Sequence, residues 1–158
     1  MGASFRKNKV KTIKGNLITL AKEGEFDVIA HGCNCFCTMG SGIAKQIKQV
    51  FPQAYSVDLK TIKGDKKKLG TCSCCDIIPL NLTVVNAYTQ YDFGGKKVNV
   101  NYKAVCRCMD WIANNFKDKR IGLPKIGAGL AGGDWSIIQQ IIEEKMFECD
   151  VTIVEYVF

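Results

Sequence analysis

Hydrophobic and polar positions along the chain alternate between two periods. A basic, β-prone stretch at residues 10–13 runs into Lys14-Gly15-Asn16, and Val28-Ile29-Ala30 gives a second short strand. Ile43, Ile47, Val50 and Phe51 then recur at i, i+4, i+7 and i+8 with Lys45, Lys48 and Gln49 between them. That spacing predicts one apolar helix face. Pro52 stands just past its last apolar position, where helices tend to stop. Strand signals at residues 71–78 and 82–88 flank Pro79-Leu80-Asn81, a hairpin-like break. Val105, Met109, Ile112 and Phe116 predict a second helix capped by Asn101. Residues 120–123 read as a short strand. A third helix carries Ile138, Ile141, Ile142 and Met146, and a last strand falls at residues 151–157.

Strands alternating with amphipathic helices predict an α/β fold, a three-layer α/β/α arrangement around a mixed sheet whose antiparallel part is the middle hairpin. A length of 158 residues suits a single domain over residues 1–158. Three glycine-bearing loops, at residues 31–42, 89–95 and 124–133, each leave a strand towards a helix. Parallel strands would gather all three at the carboxyl edge, where open α/β sheets bind their ligands.

Charge narrows the partners. Lys and Arg number 22 against 15 Asp and Glu, a net charge of +7. The excess concentrates in Arg6, Lys7, Lys9, Lys11 and Lys14, and in Lys60, Lys63, Lys66, Lys67 and Lys68. Such clusters favour anionic partners or form a solvated face. No aromatic residue interrupts the 60–68 run, which gives a single-strand nucleic-acid groove little support there. No run approaches the ~18 apolar residues of a membrane span and no signal-peptide core is present, so a cytoplasmic protein without membrane contact is expected. The nine cysteines are odd in number and several lie in apolar stretches, as expected of small core hydrophobes in a reducing compartment. Cys33-x-Cys35-x-Cys37 and Cys72-x-Cys74-Cys75 lack the usual C-x₂₋₄-C ligand spacing, so no metal is expected.

The loops carry the chemistry. Glycines admit close backbone approach, and a helix N-terminus offers unpaired N–H groups at a positive dipole end. Gly40-Ser41-Gly42 opens the first long helix and residues 127–133 open the third, two cradles that suit a diphosphate. Gly127-x-Gly129-x-x-Gly132 also fits the dinucleotide fingerprint, with Glu155 as the ribose-binding acid. Only one strand follows it, against the several of a Rossmann half, which leaves a nicotinamide oxidoreductase a minor alternative. The pattern of a P-loop is absent. His31, the one histidine, falls near a strand's carboxyl end. There it either shuttles a proton or attacks phosphorus, or simply shapes the loop. Asp134 precedes the third helix, either as its N-cap or with its carboxylate orienting a water.

Taken in order, the motifs resemble the macro domain family, an ADP-ribose-binding α/β/α module. Lys14-Gly15-Asn16-Leu17 resembles the family's K-G-[DN]-[IL] opening. Residues 28–35 with Met39-Gly40-Ser41-Gly42-Ile43-Ala44 resemble its first ligand loop. Pro124-Lys125-Ile126-Gly127-Ala128-Gly129-Leu130 resembles its P-x-[IL]-G-x-G-[IL] loop. The likeness is greatest to the branch that hydrolyses ADP-ribose 1″-phosphate to ADP-ribose and phosphate, through H-x-C-N-C, Phe93-Gly94-Gly95 and Asn101-Tyr102. The branch that removes ADP-ribose from protein or DNA is also similar, in residues 39–44 and Asp134-Trp135. Its reactive lysine after a threonine is replaced here by Gln90 after Thr89, and one type's aspartate by Ala131. A reader without catalysis is the third alternative.

The resemblance implies roles for particular residues. Asn16 and Leu17 lie at the adenine end, with Asn16 bonding the adenine amino group and Phe158 packing on the ring. Asn34 holds the distal ribose. Gly40 and the backbone of Gly42, Ile43 and Ala44, with Gly127, Ala128, Gly129 and Leu130, cradle the diphosphate. His31, Asn34 and Asp134 form the catalytic set. The expected protein is a monomer that binds ADP-ribose or its 1″-phosphate, or an ADP-ribosylated macromolecule, without cofactor or metal.

Overall fold

The computed structural model describes residues 10–95 and 97–157. Six strands form one sheet in the order β1-β6-β5-β2-β4-β3, where β1 is Lys11–Gly15, β2 Val28–Cys33, β3 Cys72–Ile77, β4 Leu82–Tyr88, β5 Arg120–Leu123 and β6 Asp150–Tyr156. Every neighbouring pair is parallel except β3 and β4, which run antiparallel. The turn between these two is a single 3₁₀ turn at Ile78–Leu80, closed by Asn81 in the left-handed region at φ 49°. Asparagine tolerates that conformation because its short polar side chain bonds locally.

Helices cover both faces, as the three-layer expectation requires. On one face α4 (Tyr102–Phe116) and α5 (Trp135–Lys145) bury Val105, Met109, Ile112, Ile138 and Ile142 against Val28, Ala30, Val85 and Ile121. On the other, α1 (Leu17–Lys22), α2 (Gly42–Val50) and α3 (Pro52–Leu59) pack Leu17, Ile47, Phe51 and Ala54 against Ile29, Val84 and Val154. Strand residues alternate between the faces, and for β2 both faces are apolar as far as Ala30.

Two helices escape the apolar pattern. Six-residue α1 is too short for a period to show; its signal is Asn16, whose Oδ1 accepts from Thr19 N at 3.0 Å. Pro52 does end α2, but it also begins α3, because its fixed φ and missing N–H suit a first helical turn. That helix buries only Ala54 and Asp58 and shows no apolar stripe. Asn101 caps α4 as expected, accepting from Ala104 N at 2.9 Å.

Candidate functional site

Five parallel strands end at one edge, so the segments that follow β1, β6, β5, β2 and β4 lie there side by side in that order. Asn16 follows β1, and Tyr156 ends β6 in register with Gly15. The glycine loop 124–133 follows β5, the Asn34 loop follows β2, and residues 89–95 follow β4. The three predicted loops therefore do share one edge. A cavity of about 470 Å³ lies elsewhere, at the opposite edge between Asp27, Asp76, Asn81 and Lys119. The candidate site is the trough along the carboxyl edge of the sheet.

At the centre of the row the two cradles touch. Gly42 opens α2 at φ 59°, and a Cβ built on it would stand 3.2 Å from Leu130 Cδ1. Ser41, the N-cap residue, makes no side-chain capping bond, and the first backbone bond into the helix is Lys45 N to Ser41 O. The N–H groups of Gly42, Ile43 and Ala44 therefore have no acceptor among the described residues. Opposite them, residues 124–133 fold on themselves through Ala128 N to Lys125 O, Gly132 N to Gly129 O and Gly133 N to Gly127 O. This leaves the N–H groups of Gly129, Leu130 and Ala131 without acceptors among the described residues. Gly129 and Gly40 have open space where a Cβ would stand. Bare donors facing an exposed trough at a helix N-terminus suit an anion with several oxygens.

The packing beneath that loop is tight. A Cβ on Gly133 would fall 2.6 Å from Gly127 O and 2.6 Å from Val100 Cγ1. Asn99 N donates to Ala131 O at 2.8 Å, so the segment before α4 braces the loop from behind.

Other predicted residues are placed differently. Leu17 is buried among the α1-side core, so its side chain is a packing element. Asn16 spends Oδ1 on its cap, and its Nδ2 has no partner among the described residues. Asn34 lies at the edge, but in this structure its side chain organises its own loop. Nδ2 donates to Thr38 O at 3.2 Å and Thr38 Oγ1 at 2.7 Å, and Oδ1 accepts from Phe36 N at 2.8 Å. Asp134 is the α5 N-cap, accepting from Ser136 N at 2.9 Å and Ser136 Oγ at 2.7 Å through the same Oδ1. These bonds lower its pKa, so the exposed carboxylate stays ionised. Phe158 lies outside the described residues.

His31 requires a correction. It is not at the strand's end facing the trough. It is fully buried two residues earlier, on the α3 side of the sheet, in register with Asn86. Asn86 donates through Nδ2 to Ala54 O and Ser73 Oγ, so its Oδ1 is the acceptor and His31 Nε2–H donates to it at 2.7 Å. Burial drives the imidazole pKa down to about 4, and the ring is neutral. The reason is topological: strand alternation turned residue 31 into the layer beneath the loop.

The same layer holds groups that no sequence pattern marked. Ser73 Oγ and Tyr88 OH lie 2.8 Å apart, and Tyr88 OH donates to Asp58 Oδ1 at 2.8 Å. Lys68, 7% exposed amid a solvated lysine run, sits 4.0 Å from Asp58 Oδ1 and donates to Cys35 O at 3.3 Å. A polar chain thus runs from His31 to the backbone of the Asn34 loop. Thr89 Oγ1 is buried at the end of β4 with no partner among the described residues.

The chain is similar to known proteins in sequence and in fold. The Macro domain family profile matches residues 30–142. A 17.5 kDa protein from the tk-vs intergenic region of Enterobacteria phage T4 is 38% identical over 93% of this chain and 96% of its own length. The ADP-ribose 1″-phosphate phosphatase of Debaryomyces hansenii is 26% identical over 85% of this chain and 93% of its own. The structure of Thermosipho africanus DarTG in complex with ADP-ribose superposes with a TM-score of 0.74 at 19% identity, covering 96% of this chain and 43% of that one.

Proposed function

The chain belongs to the macro domain family, and from that premise we propose that it binds ADP-ribose and hydrolyses ADP-ribose 1″-phosphate to ADP-ribose and phosphate. The observation that carries the reading is the contact between Leu130 and Gly42. It brings residues 42–44 near residues 129–131, two sets of N–H groups without acceptors among the described residues, which supports a backbone grip for a diphosphate. The strand order supports a direction for the ligand. Adenine lies over β1 and β6, near Nδ2 of Asn16, which has no partner among the described residues. The diphosphate crosses between the cradles, and the distal ribose reaches the Asn34 loop.

For the hydrolysis, the ionised Asp134 carboxylate at the mouth of the glycine loop is the group available to orient a water. The water oxygen bonds to phosphorus as the bond from phosphorus to the 1″ oxygen breaks, and that oxygen takes up a proton. His31, sealed from the trough, serves as a positioning residue through Asn86. Asn34 meets the ribose by exchanging its Thr38 bonds for hydroxyl bonds. Phosphate release from ADP-ribose 1″-phosphate, alongside calorimetry with ADP-ribose, tests both halves. Absence of ADP-ribose uptake at millimolar concentration removes the reading. Binding without turnover reduces the protein to a reader.

A second reading is release of ADP-ribose from a modified macromolecule, which the net charge of +7 supports. With Gln90 and Ala131 at the two positions noted above, it would proceed without the lysine of that branch. Release of labelled ADP-ribose from modified protein or DNA separates the two reactions.

A further inference from the structure

In sequence the lysine run at residues 60–68 has no aromatic residue within it; in three dimensions Phe36 and Tyr91 lie against it, and Phe93 packs on Phe36. Phe36, from the Asn34 loop, packs edge-on to Tyr91 with ring centroids 4.9 Å apart and to Phe93 at 6.2 Å. The lysine segment is fastened to this cluster at Gly64. Gly64 N donates to Cys35 O at 2.7 Å, and Tyr91 OH donates to Gly64 O at 2.7 Å. Lys66 Nζ stands 5.5 Å from the Tyr91 ring centroid.

The charges and faces of the patch point outward. Lys60, Lys63, Lys66 and Lys67 are exposed, whereas Lys68 turns inward. Phe93 is 49% exposed, a large apolar ring that no core needs. Asp65 and Asp92 are engaged locally. Asp65 accepts from Lys67 N at 2.9 Å, and Asp92 accepts from Phe93 N and pairs with Lys97 at 3.5 Å.

We propose that this surface binds single-stranded nucleic acid, with a base stacked on Phe93 and the phosphates of the strand along Lys60, Lys63, Lys66 and Lys67. An exposed aromatic face beside a row of lysines is the combination by which proteins hold single strands without reading sequence. A duplex keeps its base faces covered and would use the lysines alone. An acidic peptide would likewise leave Phe93 without a role. The patch shares Phe36 with the Asn34 loop, so it adjoins the end of the trough assigned to the distal ribose.

The test uses the full chain and an unmodified, fluorescently labelled oligothymidylate in anisotropy titrations across a salt series, with a duplex of equal length as the comparison. Saturable single-strand binding is expected, weakening with salt with a log–log slope of about −2 to −3 for three or four neutralised phosphates. Phe93→Ala should weaken binding roughly ten-fold with the slope unchanged. Lys63→Glu with Lys66→Glu and Lys67→Glu should flatten the slope. All variants should keep wild-type ADP-ribose affinity by calorimetry. The proposal is overturned by absence of saturable binding at low salt, by indifference to Phe93→Ala, or by duplex binding as tight as single-strand binding. Loss of ADP-ribose binding in the wild type with oligothymidylate binding intact would sink the trough reading and leave the patch standing. ADP-ribose binding without oligothymidylate binding would do the reverse.

Discussion

Leu130 reaches from the loop after β5 to stand over Gly42 at the start of α2, close enough that a Cβ there would meet its Cδ1 at 3.2 Å. Leu130 is nonetheless 73% exposed. An apolar side chain this open has little burial to gain, so the contact matters chiefly for what it holds together: two rows of N–H groups, unpaired among the described residues, from loops far apart in sequence.

Gly42→Ala tests that relationship. The new methyl group both presses on Leu130 and asks an alanine to adopt φ 59°, a cost of roughly 1–2 kcal/mol. Thermal unfolding should show the loss of stability. Calorimetry should show ADP-ribose affinity falling further than in Leu130→Ala, which leaves the backbone free.

Gly129 and Gly133 should part company. Gly133→Ala meets backbone and side-chain atoms at 2.6 Å and should destabilise the protein by about 1–3 kcal/mol. Gly129→Ala meets nothing within 4 Å, so its unfolding midpoint should stay at the wild-type value. The same alanine stands where a diphosphate would approach, and ADP-ribose binding should weaken. Equal effects of the two variants on both measurements would contradict the cradle.

On the proposed function, Asp134 has two separable jobs. Asparagine is as good an N-cap as aspartate, so Asp134→Asn should preserve the melting temperature while lowering phosphate release. Asp134→Ala should lose both, with a drop of about 2–4 °C for the missing cap. Full turnover by Asp134→Asn would return the residue to a purely structural role.

His31 gives the fold a pH dependence with a definite sign. Its pKa is about 4 in the folded chain against 6.5 as the ordinary value. Between these the unfolded chain binds a proton that the folded chain refuses. Stability is therefore fully present above about pH 6.5 and is lost as pH falls towards 4, by up to ~1.4 kcal/mol per pH unit. Asp58 works in the opposite direction, since burial raises its carboxyl pKa and protonation relieves the cost. Denaturant midpoints of His31→Gln and wild type across pH 4–7 isolate the imidazole, and the variant should show the flatter curve.

Lys68 and Asp58 should behave as a unit. Removing the ammonium leaves Asp58 buried with Oδ2 already unpartnered among the described residues. Lys68→Met should then cost about 3–5 kcal/mol. Adding Asp58→Asn to Lys68→Met removes the stranded charge and should recover part of the loss, a coupling that a double-mutant cycle in urea reads directly.

The sequence by itself determined the layers and the edge. Apolar spacing in α2, α4 and α5 and the hairpin at Pro79-Leu80-Asn81 fixed a mixed α/β sheet. The glycines after β2 and β5 marked where chain could approach an anion, because period and glycine placement are local properties of a chain. Tertiary structure alone decided which way side chains at that edge face. His31 reads in sequence as a residue beside a cleft, yet strand alternation and the docking of α3 turned it inward onto Asn86, a partner 55 positions away. Lys68 reads as one more solvated lysine until Asp58 and Cys35 O fold around it, and the lysine run acquires its aromatic companions only when the loops after β2 and β4 meet. Each of these depends on contacts between distant segments, and a one-dimensional pattern carries periodicity but no record of which segments will pack together.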